Sequence, residues 1–208
     1  MGLDIDGAGF VDLKSLTDLC NKESHVAKKT PVTEDILREM VSTCEKKRYE
    51  LIDDPETSRS FIRCVQGHSM DVPLLCPTIL VSGEDSDPLE GEVAGEKFKN
   101  VNHPEFSGEI FHATSMKNAK LIFSSGFIKP MSRKYVHMAR GDPCDLDIKV
   151  GLRQWMQIAL IIDLPELIKH CRCFEAKNGV ILCESPIPVS CIKKIINRKS
   201  KGEITDLK

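Results

Sequence analysis

The sequence lacks the motifs of several large enzyme classes. It has no P-loop, no G-x-G-x-x-G, no H-E-x-x-H and no serine elbow motif, so kinases, Rossmann dehydrogenases and metalloproteases find no support. No apolar run approaches the roughly 20 residues of a membrane span. No segment resembles a signal peptide. These absences predict a cytoplasmic or nuclear protein without a membrane partner.

Charge and cysteine spacing narrow the function further. The 29 Lys+Arg balance 31 Asp+Glu, so the net charge of -2 gives no global attraction for nucleic acid. RNA or DNA binding would therefore need a local basic cluster. The nine cysteines form no C-x-x-C pair, which favours reduced, buried thiols over disulfides or a metal site.

The first part of the chain, residues 1–76, predicts a small helical lobe with a hairpin. Residues 9–19 carry Phe10, Leu13, Leu16 and Leu19 at helical spacing. Thr33 is a suitable N-cap for a second helix. The stretches RYELID and SRSFIRCV alternate like two strands around DDPETS. Helix, helix and hairpin in this order is the pattern of a winged-helix lobe, although fold alone assigns no function.

The remainder divides into a linker, a second lobe and a tail. Residues 77–106 are acidic and rich in proline and glycine, which predicts a flexible linker or insertion. Residues 107–200 predict a strand in EIFHATSM, a helix over 116–125 closed by Gly126, and a central strand in WMQIALIID. Asn178-Gly179 predicts a two-residue hairpin turn. The fold class is therefore α+β with two lobes, followed by a tail at 201–208.

Polar residues at the ends of these strands are the candidate site. Arginine presents a planar fork to phosphate and remains charged at any working pH. Gly67 would let the backbone approach a ligand closely. A single histidine at a strand end is more often structural than catalytic, and Arg133 or Arg153 alone would suggest a surface ion pair. The set as a whole predicts a phosphate pocket. Its members are Arg63, His68, Ser69, His112, Thr114, Arg133, His137 and Arg153.

Five motifs in order resemble the NAD-dependent RNA 2′-phosphotransferases. They are FIRCVQGHSMDV, IFHATS, SGFIKPMSRKYVHMA, GLRQWMQIALIID and NGVIL. The stretches DGAGFVDLKSL and CEKKRYELID also match, so the resemblance covers nearly the whole chain outside the predicted linker. It implies a winged-helix-like RNA lobe and an ADP-ribosyltransferase-like NAD lobe, with the active site between them.

The resemblance also implies a reaction without a metal. The 2′-phosphate left on ligated tRNA attacks the ribose carbon of NAD that bears nicotinamide, and the neighbouring ribose hydroxyl then attacks phosphorus. The products are RNA with a 2′-OH, nicotinamide and ADP-ribose 1″,2″-cyclic phosphate. Arginine and histidine would stabilise the charge of the transition states. The implied partners are NAD and an RNA that carries an internal 2′-phosphate, and the chain is expected to be a monomer.

Residue roles follow from the matched motifs. Arg63 and Arg133 stand at the positions of the family's catalytic, phosphate-binding arginines. His68 and Ser69 correspond to residues that line the phosphate site. The positions matched to NAD binding are His112, Ala113, Thr114, His137 and Arg153.

Two departures from the family pattern leave alternatives open. Ala113 replaces the glycine of H-G-T, and its methyl group is expected close to the cofactor. The family's Arg-His pair, on a Leu-Arg-His helix upstream of D-G-x-G-F, is not found in these 208 residues. The sequence is then either a truncated form of an active enzyme or a divergent protein that binds RNA or ADP-ribose without turnover. A third alternative is ADP-ribosylation of phosphorylated nucleic-acid ends.

Overall fold

A computed structural model gives the fold of residues 2–205, except 23–30, 71, 73, 74, 76, 149–151, 153 and 154. Contacts divide the chain into two compact units, Met1–Cys76 and Pro77–Lys208. One large mixed sheet and few helices confirm the predicted α+β class. Within the described residues no helix is long and apolar enough to cross a membrane, and the eight described cysteines are all free.

The first unit has two helices and a three-stranded antiparallel sheet in the order β1-β3-β2. Its core packs Leu13 and Leu37, one from each helix, against Ile62. The predicted helices and hairpin are present, preceded by a strand that was not predicted. The elements are β1 (Val11–Asp12), α1 (Leu13–Lys22), α2 (Glu34–Thr43), β2 (Tyr49–Asp54) and β3 (Arg59–Cys64).

The first helix begins four residues later than predicted, at Leu13. Val11 pairs with Ile62 of β3, so the segment before the helix is extended. The Asp12 side chain accepts hydrogen bonds from the backbone N–H and the hydroxyl of Ser15, which caps the helix start. Phe10 therefore lies outside the helix, although its spacing fits the helical pattern.

The second helix and the hairpin agree with the sequence prediction. Thr33 accepts a hydrogen bond from the backbone N–H of Ile36, as expected of an N-cap. Strands β2 and β3 pair from Tyr49 opposite Cys64 to Asp54 opposite Arg59. This register puts residue 63 opposite residue 50, which matters for the site described below.

The second unit is built on a nine-stranded sheet in the order β14-β10-β7-β9-β12-β11-β4-β6-β5. All of its neighbouring strands are antiparallel except β4 and β6. A separate two-stranded sheet joins β13 and β8. The elements are β4 (Thr78–Val81), β5 (Glu90–Val93), β6 (Glu96–Asn100), β7 (Glu109–Thr114), α3 (Met116–Ser125), β8 (Phe127–Ile128), β9 (Val136–Gly141), β10 (Ile158–Ile162), α4 (Leu164–Ile168), β11 (Cys173–Glu175), β12 (Ile181–Cys183), β13 (Ile187–Pro188), a 3-10 turn (Val189–Cys191) and β14 (Ile192–Asn197).

The segment 77–106, predicted as a flexible linker or insertion, is part of this sheet. It supplies β4, β6 and the edge strand β5. Buried Asn100 fixes the loop that follows β4, because its side chain accepts a hydrogen bond from the backbone N–H of Gly83 and donates one to the carbonyl of Glu84. Charged residues are common on edge strands, where one face and one edge meet water. The acidic composition therefore misled the linker prediction.

The centre of the second unit follows its sequence pattern closely. Helix α3 begins after the N-cap Ser115 and ends at Gly126, whose φ of 79° is left-handed, as predicted. Strand β10 lies between β14 and β7, and all five of its residues are buried. The continuous apolar run thus identified a central strand correctly.

The hairpin at Asn178-Gly179 exists, but its loop has three residues and not two. The loop closes between Ala176 and Val180, where the N–H of Ala176 donates to the carbonyl of Val180 at 2.8 Å. A two-residue type I′ turn needs positive φ at both central residues. Gly179 has a φ of 79°, whereas Asn178 is not among the described residues with positive φ.

The predicted tail folds back on β14 as far as Ile204. Glu203 bridges to Ile196, and the N–H of Ile204 donates to the carbonyl of Ile195 at 2.8 Å. These residues therefore cover the outer edge of the large sheet. The last three residues of the predicted tail lie outside the described part of the chain.

Strand β7 carries core residues on both faces. Ile110 belongs to one buried cluster, while Phe111 and Ala113 belong to another. Side chains alternate between the two faces of a strand. His112 and Thr114 therefore share the face of Ile110, and Ala113 faces the other way.

Candidate active site

Arg63 is held on β3 by a carboxylate, a carbonyl and an aromatic ring. Its Nε and Nη2 donate to Oε2 of Glu50 at 2.9 and 2.7 Å, and Nη1 donates to the carbonyl of Ala8 at 2.9 Å. The guanidinium carbon lies 4.4 Å from the centre of the Phe10 ring. A guanidinium has five N–H donors. These bonds use three of them, so the arginine is oriented in advance. Its other two donors have no hydrogen-bond partner in the described part of the chain and are available to an anion.

A tight turn at residues 6–10 brings two of these partners, the Ala8 carbonyl and the Phe10 ring, to Arg63. The Asp6 carboxylate accepts from the backbone N–H groups of Ala8 and Phe10 at 2.9 and 2.7 Å. Gly9 has a φ of 84°, and a Cβ there would lie 3.1 Å from Val72. Sequence reasoning did not assign these roles. The signal was present in the D-G-A-G-F stretch, which is rich in turn residues.

His68 lies close to Arg63 in the first unit. Burial lowers the pKa of His68, and the positive charge of Arg63 lowers it further, against a hydrogen bond to the Cys64 backbone that raises it. His68 is therefore neutral at neutral pH. Gly67 takes a left-handed φ of 87°. Ser69 follows as an exposed residue. The structure thus brings together Arg63 and His68.

In the second unit, two histidines are fixed by backbone carbonyls. Nδ1 of His112 lies 3.0 Å from the carbonyl oxygen of His137, and Nδ1 of His137 lies 2.9 Å from that of Tyr135. A carbonyl only accepts, so each Nδ1 carries the proton and donates it. In the neutral ring the other nitrogen, Nε2, is then an acceptor.

Both histidines resist protonation. Burial lowers the pKa of His112. Burial, followed by the charge of Arg133, lowers the pKa of His137 to about 4. Arg133 itself is exposed and follows a turn in which its N–H donates to the carbonyl of Pro130. The structure therefore groups His112, His137 and Arg133.

The remaining predicted cofactor residues have different placements. Thr114 is buried and pairs with Ile158 of β10. The Ala113 side chain packs in the cluster of Phe111 and Ala159, on the face opposite His112. A ligand on the His112 face can meet Ala113 only through its backbone. Arg153 lies outside the described residues, so its predicted role has no structural counterpart.

A cavity of the second unit does not coincide with these residues. It has a volume of about 360 Å³ and lies where β7 begins, beside Glu109 and Lys194. Thr114 is five residues further along, at a distance of about 17 Å. Lys194 is paired with Glu109 at 2.9 Å, which neutralises its charge. We therefore do not assign the active site to this cavity. Among the described residues no cluster could hold a metal ion.

A buried arginine of the second unit was also not identified from the sequence. Arg198 donates to the carbonyls of Pro143, Asp145 and Met156 at 2.8, 2.8 and 3.2 Å. Its guanidinium carbon lies 5.8 Å from the Phe111 ring. The arginine therefore fixes the loop after β9 to the end of β14. A single Arg near the terminus gives no sequence signal for such a role.

Comparison with known proteins gives consistent results. The profile described as RNA 2′-phosphotransferase, Tpt1/KptA family, matches residues 1–185. The chain is 28% identical over 183 residues to tRNA 2′-phosphotransferase 1 of Danio rerio, covering 88% of the chain and 69% of that protein. It is 28% identical over 206 residues to the tRNA 2′-phosphotransferase of Saccharomyces cerevisiae, covering 98% and 78%. A probable RNA 2′-phosphotransferase of Agrobacterium fabrum is 28% identical over 191 residues, covering 91% and 82%.

Proposed function

The chain belongs to the RNA 2′-phosphotransferase family and is thus an enzyme, and we propose that it transfers the 2′-phosphate of ligated tRNA to NAD. The observation that carries the proposal is the family match over 185 residues, which includes every predicted site residue. The products are RNA with a 2′-OH, nicotinamide and ADP-ribose 1″,2″-cyclic phosphate. No metal takes part, so the protein itself must supply the positive charge.

The two units take the roles that the family pattern gives them. The first unit is a winged-helix-like RNA lobe, supported by its two helices and the β2–β3 hairpin. The second unit is an ADP-ribosyltransferase-like lobe for NAD, supported by the histidines and the mixed sheet. Each assignment rests on the order of elements within one unit.

Arg63 binds the RNA 2′-phosphate in this proposal. The Glu50 carboxylate and the Phe10 ring hold its guanidinium plane, and two N–H donors remain for phosphate oxygens. Orientation before binding reduces the entropic cost of each hydrogen bond. Charge that develops on the phosphate in the transition state is stabilised by such donors. Neutral His68, next to Arg63, and Ser69 complete the phosphate side.

The residues of the second unit fit NAD as a co-substrate. When bound, NAD supplies an electrophilic ribose carbon with nicotinamide as leaving group. His112 is neutral, and its Nε2 is an acceptor suited to a ribose hydroxyl or an amide N–H. Thr114 and His137 complete the NAD side, and Arg133 adds a fixed positive charge for phosphate.

The test measures release of nicotinamide and loss of the 2′-phosphate in one reaction. The purified chain is incubated with an RNA oligonucleotide that carries one internal 2′-phosphate, with and without NAD. We expect both products only when NAD is present. Arg63→Ala should lower the rate at least about 100-fold, since single oxyanion donors commonly contribute that much.

The matched control is Arg59→Ala, on the same strand. Arg59 is exposed and paired with Asp12, so its loss should change the rate less than about twofold. Loss of 2′-phosphate without NAD, or an equal effect of the two arginine variants, would contradict the proposal.

A further inference from the structure

A long segment of the second unit contains no acidic residue. Asp and Glu make up 31 of the 208 residues, yet none occurs between positions 110 and 141. The same segment contains six Lys or Arg. A chain with a net charge of -2 can bind RNA only through a local basic cluster, and this segment is such a cluster.

The cations of α3 and the following turn are exposed. Lys117, Lys120, Lys129 and Arg133 are all exposed. In the part of the chain that the structure describes, no ion pair joins any of these four to a carboxylate. By contrast, Arg140 at the end of the segment is paired with Glu175 at 3.0 Å. Four positive charges therefore face solvent without internal neutralisation.

Apolar side chains are exposed between these cations. Leu121 is 59% exposed, Phe123 37%, Phe127 44% and Met131 88%. The opposite side of α3 is packed, with Ala119 fully buried in the core. Two aromatic rings between lysines are typical of surfaces that bind single-stranded nucleic acid, where bases stack on the rings. We define the α3 surface as Lys117, Lys120, Leu121, Phe123, Phe127, Lys129 and Met131.

The α3 surface is continuous with a predicted catalytic arginine. Lys129 is followed by the turn Pro130–Arg133, which is closed by the Arg133 N–H and the Pro130 carbonyl at 3.2 Å. The Cα atoms of Lys129 and Arg133 are therefore within roughly 11 Å. Arg133 in turn is close enough to His137 to lower its pKa. The basic surface thus begins beside the candidate site and runs along α3.

We propose that the α3 surface binds RNA nucleotides beyond the immediate neighbours of the 2′-phosphorylated residue. The proposal rests on the proposed function and extends it from the reacting phosphate to the adjoining part of the RNA chain. The lysines contact backbone phosphates, and Phe123 and Phe127 offer planes for unpaired bases. Charge complementarity selects RNA as the occupant, because four unneutralised cations without any nearby acidic residue in sequence match a polyanion.

The test compares a long and a short substrate. The triple variant Lys117→Ala, Lys120→Ala, Lys129→Ala is assayed with a 2′-phosphorylated trinucleotide and with a long oligonucleotide of the same central sequence. We expect KM for the long RNA to rise about tenfold at 0.1 M salt, with kcat and the trinucleotide kinetics unchanged. The control variant Lys97→Ala, Lys177→Ala, Lys199→Ala removes the same charge from exposed sites elsewhere and should behave as the parent.

Salt dependence gives a second readout that is independent of turnover. Binding of the long RNA without its 2′-phosphate is measured by fluorescence anisotropy at several salt concentrations. Each lost phosphate contact to a single strand reduces the logarithmic slope by about 0.7, so the triple variant should lose about 2. Phe127→Leu should weaken binding by an amount that does not change with salt, because it removes a stacking plane and no charge.

The outcomes separate this proposal from the proposed function. If the parent turns over neither substrate, the proposed function fails, and anisotropy alone decides the α3 surface. Equal affinity and equal salt slope of parent and triple variant would overturn the α3 proposal and favour an acidic protein as the partner. An equal fall in kcat/KM of the triple variant on the trinucleotide and on the long RNA would also overturn it, since the lysines would then affect the reacting centre.

Discussion

Glu50 and Arg63 face each other across the β2–β3 ladder, and one carboxylate oxygen of Glu50 accepts two hydrogen bonds from the guanidinium. The side chains are only 15% and 16% exposed. The pair therefore serves both stability and the proposed function. It removes the penalty of a poorly solvated cation, and it fixes the plane that Arg63 presents to phosphate.

Loss of Glu50 should destabilise the first unit. Glu50→Ala leaves a largely buried guanidinium without its carboxylate, so the free energy of unfolding should fall by about 2 kcal/mol. Glu50→Gln keeps one acceptor oxygen and should cost about half as much. Urea unfolding measures both, with Glu56→Ala on the β2–β3 loop as an exposed control. No change in the Glu50→Ala midpoint would contradict a stabilising role for the pair.

The geometry of Arg63 should matter beyond its charge. Lysine keeps the charge but has no planar fork, so it cannot bond Glu50 and phosphate in the same arrangement. We expect Arg63→Lys to retain RNA binding and to lower kcat at least tenfold. Rates of nicotinamide release under saturating RNA and NAD test this. A kcat equal to that of the parent would show that charge alone suffices.

Acid should destabilise the second unit through His137. The folded pKa is lowered to about 4, while the unfolded value is about 6.5. Between these two pKa values the unfolded chain binds more protons at His137 than the folded chain does. The free energy of unfolding therefore falls as the pH decreases from 6.5 to 4, and the contribution of neutral His137 is fully present only above pH 6.5. Across this pH window the free energy of unfolding should fall by about 3 kcal/mol because of His137.

His137→Asn isolates this contribution from the carboxylates that titrate in the same range. Asparagine can still donate to the Tyr135 carbonyl in place of Nδ1, but it does not take up a proton. Urea midpoints at a series of pH values should show a smaller acid sensitivity for the variant than for the parent. Parallel pH curves would rule out His137 as the cause.

Ala113 should serve packing and not cofactor binding. Because its methyl group lies in the core with Phe111 and Ala159, Ala113→Gly loses buried apolar surface and adds backbone freedom to β7. We expect the unfolding free energy to fall by about 1–2 kcal/mol, with KM for NAD within about twofold. A marked fall in KM would mean instead that the methyl group hinders NAD.

Local signals in the sequence predicted more of this fold than long-range ones did. The cap at Thr33 and the end of α3 at Gly126 depend on neighbouring residues, and both were predicted. The start of α1 was not, because Val11 pairs with Ile62, which lies far along the chain. Strand β4 escaped prediction for the same reason, since its partner β11 is distant in sequence. Strand β6 joins the sheet only through β4, and β5 only through β6.

The candidate site shows the same division. The sequence indicated Arg63 and His112 as functional candidates from their positions at strand ends and from family motifs. It did not indicate Glu50 or the Asp6 turn, because cross-strand register and turn geometry decide their contacts. It also did not indicate that Ala113 faces a core, since β7 is buried on both sides and its polarity does not alternate regularly.

Strand β5 explains why the segment after Pro77 is acidic. It is the outermost strand of the large sheet, only four residues long, and it carries Glu90 and Glu92. An open edge presents unpaired backbone groups that can template the addition of a strand from another molecule, and short, charged edges oppose this. At the opposite side, the return of Glu203 shields β14. We therefore expect Glu90 and Glu92 to oppose self-assembly into β-aggregates, so that neutralising both glutamates should shorten the lag before fibres appear.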